Sequence, residues 1–145
     1  MLGISTTTVS NVINGKTSEV SQKTAEKVQK LLDEYDYVPN MNAKNLAQNH
    51  SRLIGIVLKR KKDKYDNIFT DPFHGELLGS LEAAIRERGY YMMLYTSEDI
   101  DEIVRNVVSW NTEGLILIGM LHDDYLKIRS KYKKPAVLID SYTPK

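Results

Sequence analysis

The chain has 145 residues, of which 41% are hydrophobic, so it holds enough apolar side chains for a core and is not disordered by composition. Its formal net charge is only +1, which means that no bulk basicity indicates a nucleic-acid partner. It has no cysteine, which excludes disulfides and thiolate metal sites.

The first predicted element is a short helix between Gly3 and Gly15. Glycine tolerates a positive φ, so Gly3 suits the turn before the helix and Gly15 suits its end, while Ser5 is a good N-cap. Apolar residues at helical spacing form one face: Val9, Val12 and Ile13. Short hydrogen-bonding side chains form the opposite face: Thr6, Thr7, Ser10 and Asn11. Such a helix can lie in the DNA major groove, although an ordinary amphipathic surface helix shows the same pattern.

A second helix is predicted to follow Ser21, its N-cap, and to end at about Asp36. Its buried stripe is expected to comprise Ala25, Val28, Leu32 and Tyr35. Most lysines of this helix are expected to lie on a solvated face, although Lys23, near the helix start, could reach a phosphate. Pro39 then interrupts helical geometry, and Asn40 can cap a short third helix that runs to about Gln48.

Three segments of this region, Gly3 to Gly15, Val20 to Thr24 and Tyr37 to Leu46, together resemble the DNA-binding head of the LacI/GalR family of bacterial transcription regulators. The resemblance implies an all-α helix-turn-helix head over residues 1–50, with the first predicted helix as its recognition helix. It implies a hinge helix at about residues 39–48, which folds on operator DNA and pairs with its dimer mate.

The resemblance also implies which side chains contact DNA. Base contacts are expected from Thr6, Thr7 and Asn11. Phosphate contacts are expected from Thr8, Ser10, Ser21 and Lys23. In the hinge helix, the DNA-facing residues are expected to be Asn40, Ala43, Lys44 and Leu46. Leu46 is expected to enter the minor groove as a wedge between base steps, and its alternative role is that of a core leucine in a plain linker helix.

The rest of the chain alternates between the patterns of strands and helices. Strands are predicted at 53–58, 90–95, 115–118 and 136–139. Helices are predicted at 77–85, 100–108 and 123–132. This alternation with short connections indicates a parallel, doubly wound α/β sheet, whose ligands bind at the carboxyl ends of the strands.

Residues 53–145 resemble the family's periplasmic-binding-protein-like core, of which they would supply a partial effector and dimerisation domain. Effector-binding residues are expected to be Asp71, Phe73, His74 and Asp140. Phe73 could instead pack against the next helix, His74 could be a plain helix N-terminal residue, and Asp140 could be a solvated carboxylate. The charge run from Lys59 to Lys64 is interpreted as a solvated loop, with contact to an anionic effector as the second choice.

Compared with the family pattern, the chain is expected to be truncated. It lacks the start of the first head helix, of which Met1 and Leu2 look like the tail. It also lacks the C-terminal part of the effector-binding core, so the N-terminal subdomain is incomplete and its fourth strand is expected to be an exposed apolar edge.

The sequence shows no catalytic pattern, because it has no glycine-rich phosphate loop, no paired histidines at metal spacing and no cysteine nucleophile. We expect no enzyme activity, no cofactor and no metal. The predicted function is that of a cytoplasmic, homodimeric transcription regulator, a repressor that binds double-stranded operator DNA and a small carbohydrate effector. The alternative is a ligand-binding or dimerisation fragment without autonomous DNA binding. No signal peptide and no bilayer-spanning apolar run are apparent, so no membrane partner is expected.

Overall fold

The computed structural model describes residues 3–60 and 67–141, which divide into two compact units, Met1–His50 and Ser51–Lys145. The interpretations of Met1 and Leu2 as a helix tail, and of Lys61 to Lys64 as a loop, fall outside the described residues. Within the described part, no helix is both long enough and apolar enough to cross a bilayer.

The first unit is helical. Its elements are α1 (Thr6–Ile13), a 3-10 turn (Thr17–Glu19), α2 (Gln22–Glu34) and α3 (Met41–Gln48). All three predicted N-caps are confirmed, since an oxygen of Ser5, Ser21 and Asn40 accepts from a backbone N–H in the first turn of α1, α2 and α3, respectively. Gly3 and Gly15 bracket α1 at φ +60° and +72°, as the sequence predicted.

The predicted end of α2 was wrong by about one half-turn. The helix ends at Glu34, because Tyr35 leaves helical geometry as the C-cap and Asp36 adopts a left-handed φ of 49°. The Tyr35 side chain therefore leaves the buried stripe and is 78% exposed. Among the head residues that the structure describes, Val28 alone is buried. The head thus has a small core.

The second unit is a four-stranded parallel sheet with helices on both faces. Its strands are β1 (Leu53–Lys59), β2 (Tyr91–Ser97), β3 (Gly114–Ile118) and β4 (Ala136–Ile139), in the order β2-β1-β3-β4. Its helices are α4 (Pro72–Glu87), α5 (Ile100–Ser109) and α6 (His122–Lys131), and a 3-10 turn (Ile68–Thr70) precedes α4. The doubly wound α/β fold predicted from the sequence is confirmed.

The core of the sheet has two layers because alternate residues of a strand face opposite sides. In β1, Val57 packs with Ile103 of α5 and Ile128 of α6, while Ile56 packs with Leu78 of α4. The sheet thereby holds the carboxyl ends of its four strands at one edge, where α4 and α6 begin. At the side of the sheet, β4 is an edge strand with Val137 58% exposed, as expected.

Candidate nucleic-acid interface and effector face

The polar face of α1 is accessible. Thr6, Thr7 and Ser10 are exposed, and Asn11 is half-buried. Hydroxyl and amide groups both donate and accept hydrogen bonds, so this face can match the donors and acceptors on base edges in a major groove. The apolar residues Val9, Val12 and Ile13 of the same helix are half-buried.

Two hydroxyls expected at phosphates have different hydrogen-bonding states. Ser10 Oγ accepts from Asn14 Nδ2 at 3.3 Å, so its own hydrogen is left to donate. Ser21 Oγ accepts from the Thr24 N–H and donates to Thr24 Oγ1 at 2.8 Å. A phosphate needs a donor, so Ser10 suits that contact better than Ser21, whose hydrogen is already donated to Thr24 Oγ1. Thr8 Oγ1 is engaged with Ser5 Oγ at 2.9 Å.

Two positive charges accompany these groups. Lys23 is exposed in the first turn of α2, and Lys44 is half-buried in α3. An exposed ammonium can pair with a phosphate of either strand and carries no sequence information by itself.

The hinge-like helix α3 presents an apolar side chain to solvent. Leu46 is 85% exposed, so its alternative role as a core leucine is wrong. Ala43 is exposed too, and Asn40 Oδ1 is occupied as the N-cap, accepting from the N–H groups of Asn42 at 3.0 Å and Ala43 at 3.4 Å. Insertion between base steps requires an apolar side chain that is exposed, and Leu46 meets that requirement.

One contact within the head has no signal in the sequence. Gln48 Nε2, at the end of α3, donates to the backbone carbonyl of Asn14 at 2.8 Å, just after α1. This carbonyl is among the acceptors that a helix end leaves without an intrahelical partner. The bond joins the end of α3 to the end of α1 across 34 positions, so local patterns could not reveal it.

Three of the four expected effector residues come together at the start of α4. Asp71 Oδ1 caps the helix by accepting from the Phe73 N–H at 2.9 Å, and His74 Nδ1 lies 3.8 Å from Asp71 Oδ2. The Phe73 ring is 52% exposed and tilted against the His74 ring at 5.8 Å between centroids. The alternative in which Phe73 packs against the next helix is therefore wrong for about half of its surface, which remains exposed. The fourth residue, Asp140, is exposed after β4, at the far side of the sheet from β2.

The interpretation of the charge run from Lys59 to Lys64 as a solvated loop was wrong for Lys59, which lies in a strand and forms an ion pair. As the last residue of β1, it places Nζ 2.7 Å from Asp124 Oδ2 in the first turn of α6, where the Asp124 side chain is 10% exposed. The strand end brings the ammonium to a largely buried carboxylate. The partners are 65 positions apart in the chain, so local patterns did not indicate the pair.

A polar cluster at the end of β2 was also missed. The Glu102 carboxylate accepts from Ser97 Oγ at 2.5 Å and from the Tyr95 hydroxyl at 2.8 Å, and Asn106 Nδ2 donates to the same hydroxyl at 2.8 Å. The bonds from Ser97 and then Tyr95 lower the pKa of Glu102 below its usual value. The bond to Glu102 in turn raises the pKa of Tyr95. Among the described residues, no cluster of His, Asp or Glu could hold a metal ion.

Known proteins match most of this chain in sequence. Residues 2–40 match the model of the family described as bacterial regulatory proteins, lacI family. The chain is 30% identical to the HTH-type transcriptional regulator MalR of Streptococcus pneumoniae serotype 4, over 86% of this chain and 38% of MalR. It is 32% identical to the ribose operon repressor of Escherichia coli K12, over 97% of this chain and 42% of that repressor. The chain thus spans about two fifths of the length of these relatives.

Solved structures share the fold. The lac repressor dimer bound to operator and the anti-inducer ONPF matches with a TM-score of 0.77 at 24% identity, over 97% of this chain and 42% of the repressor chain. The complex of the transcriptional regulator CelR with cellobiose matches with a TM-score of 0.52 at 26% identity, over 94% of this chain and 39% of CelR. These matches extend across both the helical head and the parallel sheet.

Proposed function

Because residues 2–40 of this chain match the model of the lacI family of bacterial regulatory proteins, we propose that the chain is a sequence-specific DNA-binding transcription regulator, a repressor and not an enzyme. The observation that carries this proposal is the polar face of α1, where Thr6 and Thr7 are exposed and Asn11 is half-buried, on a helix capped at Ser5. Short uncharged groups near a helix N-terminus are suited to base edges, while the N-terminal amides are suited to phosphates.

The remaining DNA contacts follow from the same docking. Ser10, Thr8 and Lys23 would lie along the phosphates and fix the orientation of α1, while Ser21 would orient the start of α2. Phosphate contacts position a protein on DNA without reading its sequence. The N-cap Asn40 and the α3 residues Ala43, Lys44 and Leu46 would face the minor groove, with the exposed Leu46 between base steps. A cytoplasmic location follows from a DNA target.

The second unit is proposed to bind a small carbohydrate effector at the carboxyl edge of its sheet. Asp71 offers a carboxylate oxygen to a hydroxyl, and the exposed Phe73 ring offers a face for a sugar ring. His74 and Asp140 complete the proposed set. The support from relatives is that one is named a ribose operon repressor and another was solved with cellobiose. The proposed assembly is a homodimer, the state named for the lac repressor structure.

The domain assignment belongs to the same proposal. Residues 1–50 would read DNA, with the hinge helix at about 39–48, and residues 53–145 would be the partial effector and dimerisation domain. The division at His50 and Ser51 supports this assignment.

A selection experiment with the 145-residue chain tests the proposal. The chain is incubated with a library of random DNA duplexes at about 50 mM and about 200 mM salt, and the bound duplexes are sequenced. We expect enrichment of a palindromic sequence at both salt concentrations. Binding that is confined to low salt and enriches no sequence would reject sequence-specific recognition by this chain and favour a fragment without autonomous DNA binding.

A further inference from the structure

We propose that Glu19 sets the base preference of Asn11, so that the two side chains together select cytosine or adenine in the major groove. This inference rests on the proposed function, since it requires α1 to lie against base edges. It adds a specificity-determining residue outside the recognition helix, and it names the kind of base that the helix selects.

The geometry links Asn11 to the 3-10 turn that follows α1. Asn11 Nδ2 donates to Glu19 Oε2 at 3.3 Å, and the Lys16 N–H donates to the Asn11 carbonyl at 2.8 Å. The turn itself is closed by a bond from the Val20 N–H to the Thr17 carbonyl at 3.2 Å. Both the side chain and the backbone of Asn11 are therefore held by the segment that carries Glu19.

This bond fixes the direction of the Asn11 amide. A carboxylate only accepts hydrogen bonds, so the nitrogen of the amide faces Glu19 and Oδ1 faces elsewhere. The bond uses one of the two N–H groups of the amide, and neither Asn11 Oδ1 nor the second carboxylate oxygen, Glu19 Oε1, takes part in it. Both of these oxygens can only accept hydrogen bonds. An asparagine without this neighbour could turn its amide over and present either a donor or an acceptor.

Acceptors match only some bases. In the major groove, cytosine presents an exocyclic amino group as a donor and adenine presents one beside its N7 acceptor, whereas guanine presents two acceptors and thymine one. We call cytosine and adenine the amino bases, and guanine and thymine the keto bases. The Asn11 and Glu19 oxygens attract an amino base and repel a keto base, with the charge on Glu19 adding to that repulsion.

The charge of Glu19 also distinguishes a role in base selection from a purely structural role in holding α1. A carboxylate beside phosphates weakens binding to every sequence, because it repels the DNA backbone. Its removal should therefore give tighter and less selective binding. If Glu19 only held α1 in place, its removal would instead weaken DNA binding.

Glu19→Gln is the decisive variant. The glutamine carbonyl can still accept from Asn11 Nδ2, so the link to α1 survives, but the new amide donates as well as accepts and carries no charge. Glu34→Gln is the matched control, because Glu34 is exposed at the end of α2 and loses the same charge. The full 145-residue wild-type chain and both variants are tested on the random duplex library, and thermal unfolding is recorded for each.

The wild-type chain is expected to prefer an amino base at one position of each half-site. Glu19→Gln should reduce that preference about tenfold, the size of one good base contact, and should leave the other positions and the unfolding temperature unchanged. Its total affinity for DNA should rise a few-fold. Glu34→Gln should keep the wild-type preference at every position.

Three results would overturn the inference, and they separate it from the proposed function. If the wild-type chain enriches a sequence and Glu19→Gln enriches the same sequence equally well, Glu19 has no part in the reading of bases. If Glu19→Gln loses preference at all positions together, its role is structural. If the wild-type chain enriches nothing, sequence-specific binding fails, and the inference fails with it.

Discussion

At the scale of single residues, capping chemistry was visible in the sequence. Ser5, Ser21 and Asn40 each stand before a predicted helix, and each accepts from the first turn of that helix, because short polar side chains stabilise helix starts. The bonds from Asn11 to Glu19 and from Lys59 to Asp124 were not visible. Such bonds depend on how distant turns and helices are placed, which local pattern does not specify.

Asn11→Ala tests the base contact directly. We expect specific DNA binding to weaken by about 1–3 kcal/mol, the cost of one good base contact, because alanine keeps the helix but removes the amide. Binding to a scrambled duplex should change little, since phosphate contacts remain. Fluorescence anisotropy on the selected and the scrambled duplex measures both affinities. Equal losses on the two duplexes would contradict a base-reading role.

Glu102 should make the stability of the second unit depend on pH. Its folded pKa is lowered by bonds from Ser97 and Tyr95, so the unfolded chain binds a proton more readily. The stabilisation is present above the usual glutamate pKa of about 4.3 and is lost as the pH falls through the lower folded pKa. Urea unfolding at about pH 7 and about pH 3 should therefore show a smaller difference for Glu102→Gln than for wild type.

A matched variant makes the pH experiment specific. Glu98 is exposed in the loop after β2, and Glu98→Gln removes the same carboxylate without breaking the cluster. We expect Glu98→Gln to keep the wild-type difference between the two pH values. A Glu102→Gln protein that keeps it too would show that the cluster does not govern acid stability.

At the scale of elements, the start of α3 was predicted, whereas its hydrogen bond to the end of α1 was not. Its bounds were predicted closely, because Pro39 interrupts helical geometry and Asn40 caps the helix, both of which are local effects. Its bond from Gln48 to the end of α1 was not predicted. The end of α2 was also misplaced, since nothing in the apolar spacing shows that Asp36 adopts a positive φ.

Leu46→Ala separates the wedge role from stability. Because the side chain is 85% exposed, its removal should change the free energy of unfolding by less than about 0.5 kcal/mol. It should nevertheless reduce the bending of the selected duplex, because an inserted side chain offsets an unstacking cost of about a few kcal/mol per step. Bending is measured by energy transfer between dyes on the duplex ends. Val38→Ala is the control variant, because it removes another exposed apolar side chain of the head. An unchanged bend for Leu46→Ala refutes the wedge.

At the scale of the whole molecule, fold class followed from the alternation of strands and helices. The strand order did not, because apolar runs define where strands lie but not which strands are neighbours. β1 lies between β2 and β3, and thereby has seven residues paired with β2 and five with β3. The arrangement of the candidate effector residues was predicted in part for the same reason. Asp71, Phe73 and His74 are neighbours in sequence, whereas the position of Asp140 depends on strand order.

The two units should differ in their protection from hydrogen exchange. The described head residues bury one side chain, Val28, whereas the sheet buries apolar residues on both of its faces. Local opening costs less free energy where little apolar surface is buried. Amides of α2 should therefore exchange faster than those of β1 and β3, as measured by mass spectrometry of the full chain. Equal protection in both units would contradict this difference in core strength.

The bond from Gln48 to Asn14 has a consequence for how the head tolerates mutation. Position 48 contributes a side chain, but position 14 contributes only its backbone carbonyl, which nearly every amino acid supplies alike. In a library that samples all amino acids at both positions, variants selected for a folded α3 should be diverse at position 14 and restricted at position 48. Genetic drift could therefore replace the residue at position 14 without breaking the hydrogen bond between the ends of α1 and α3.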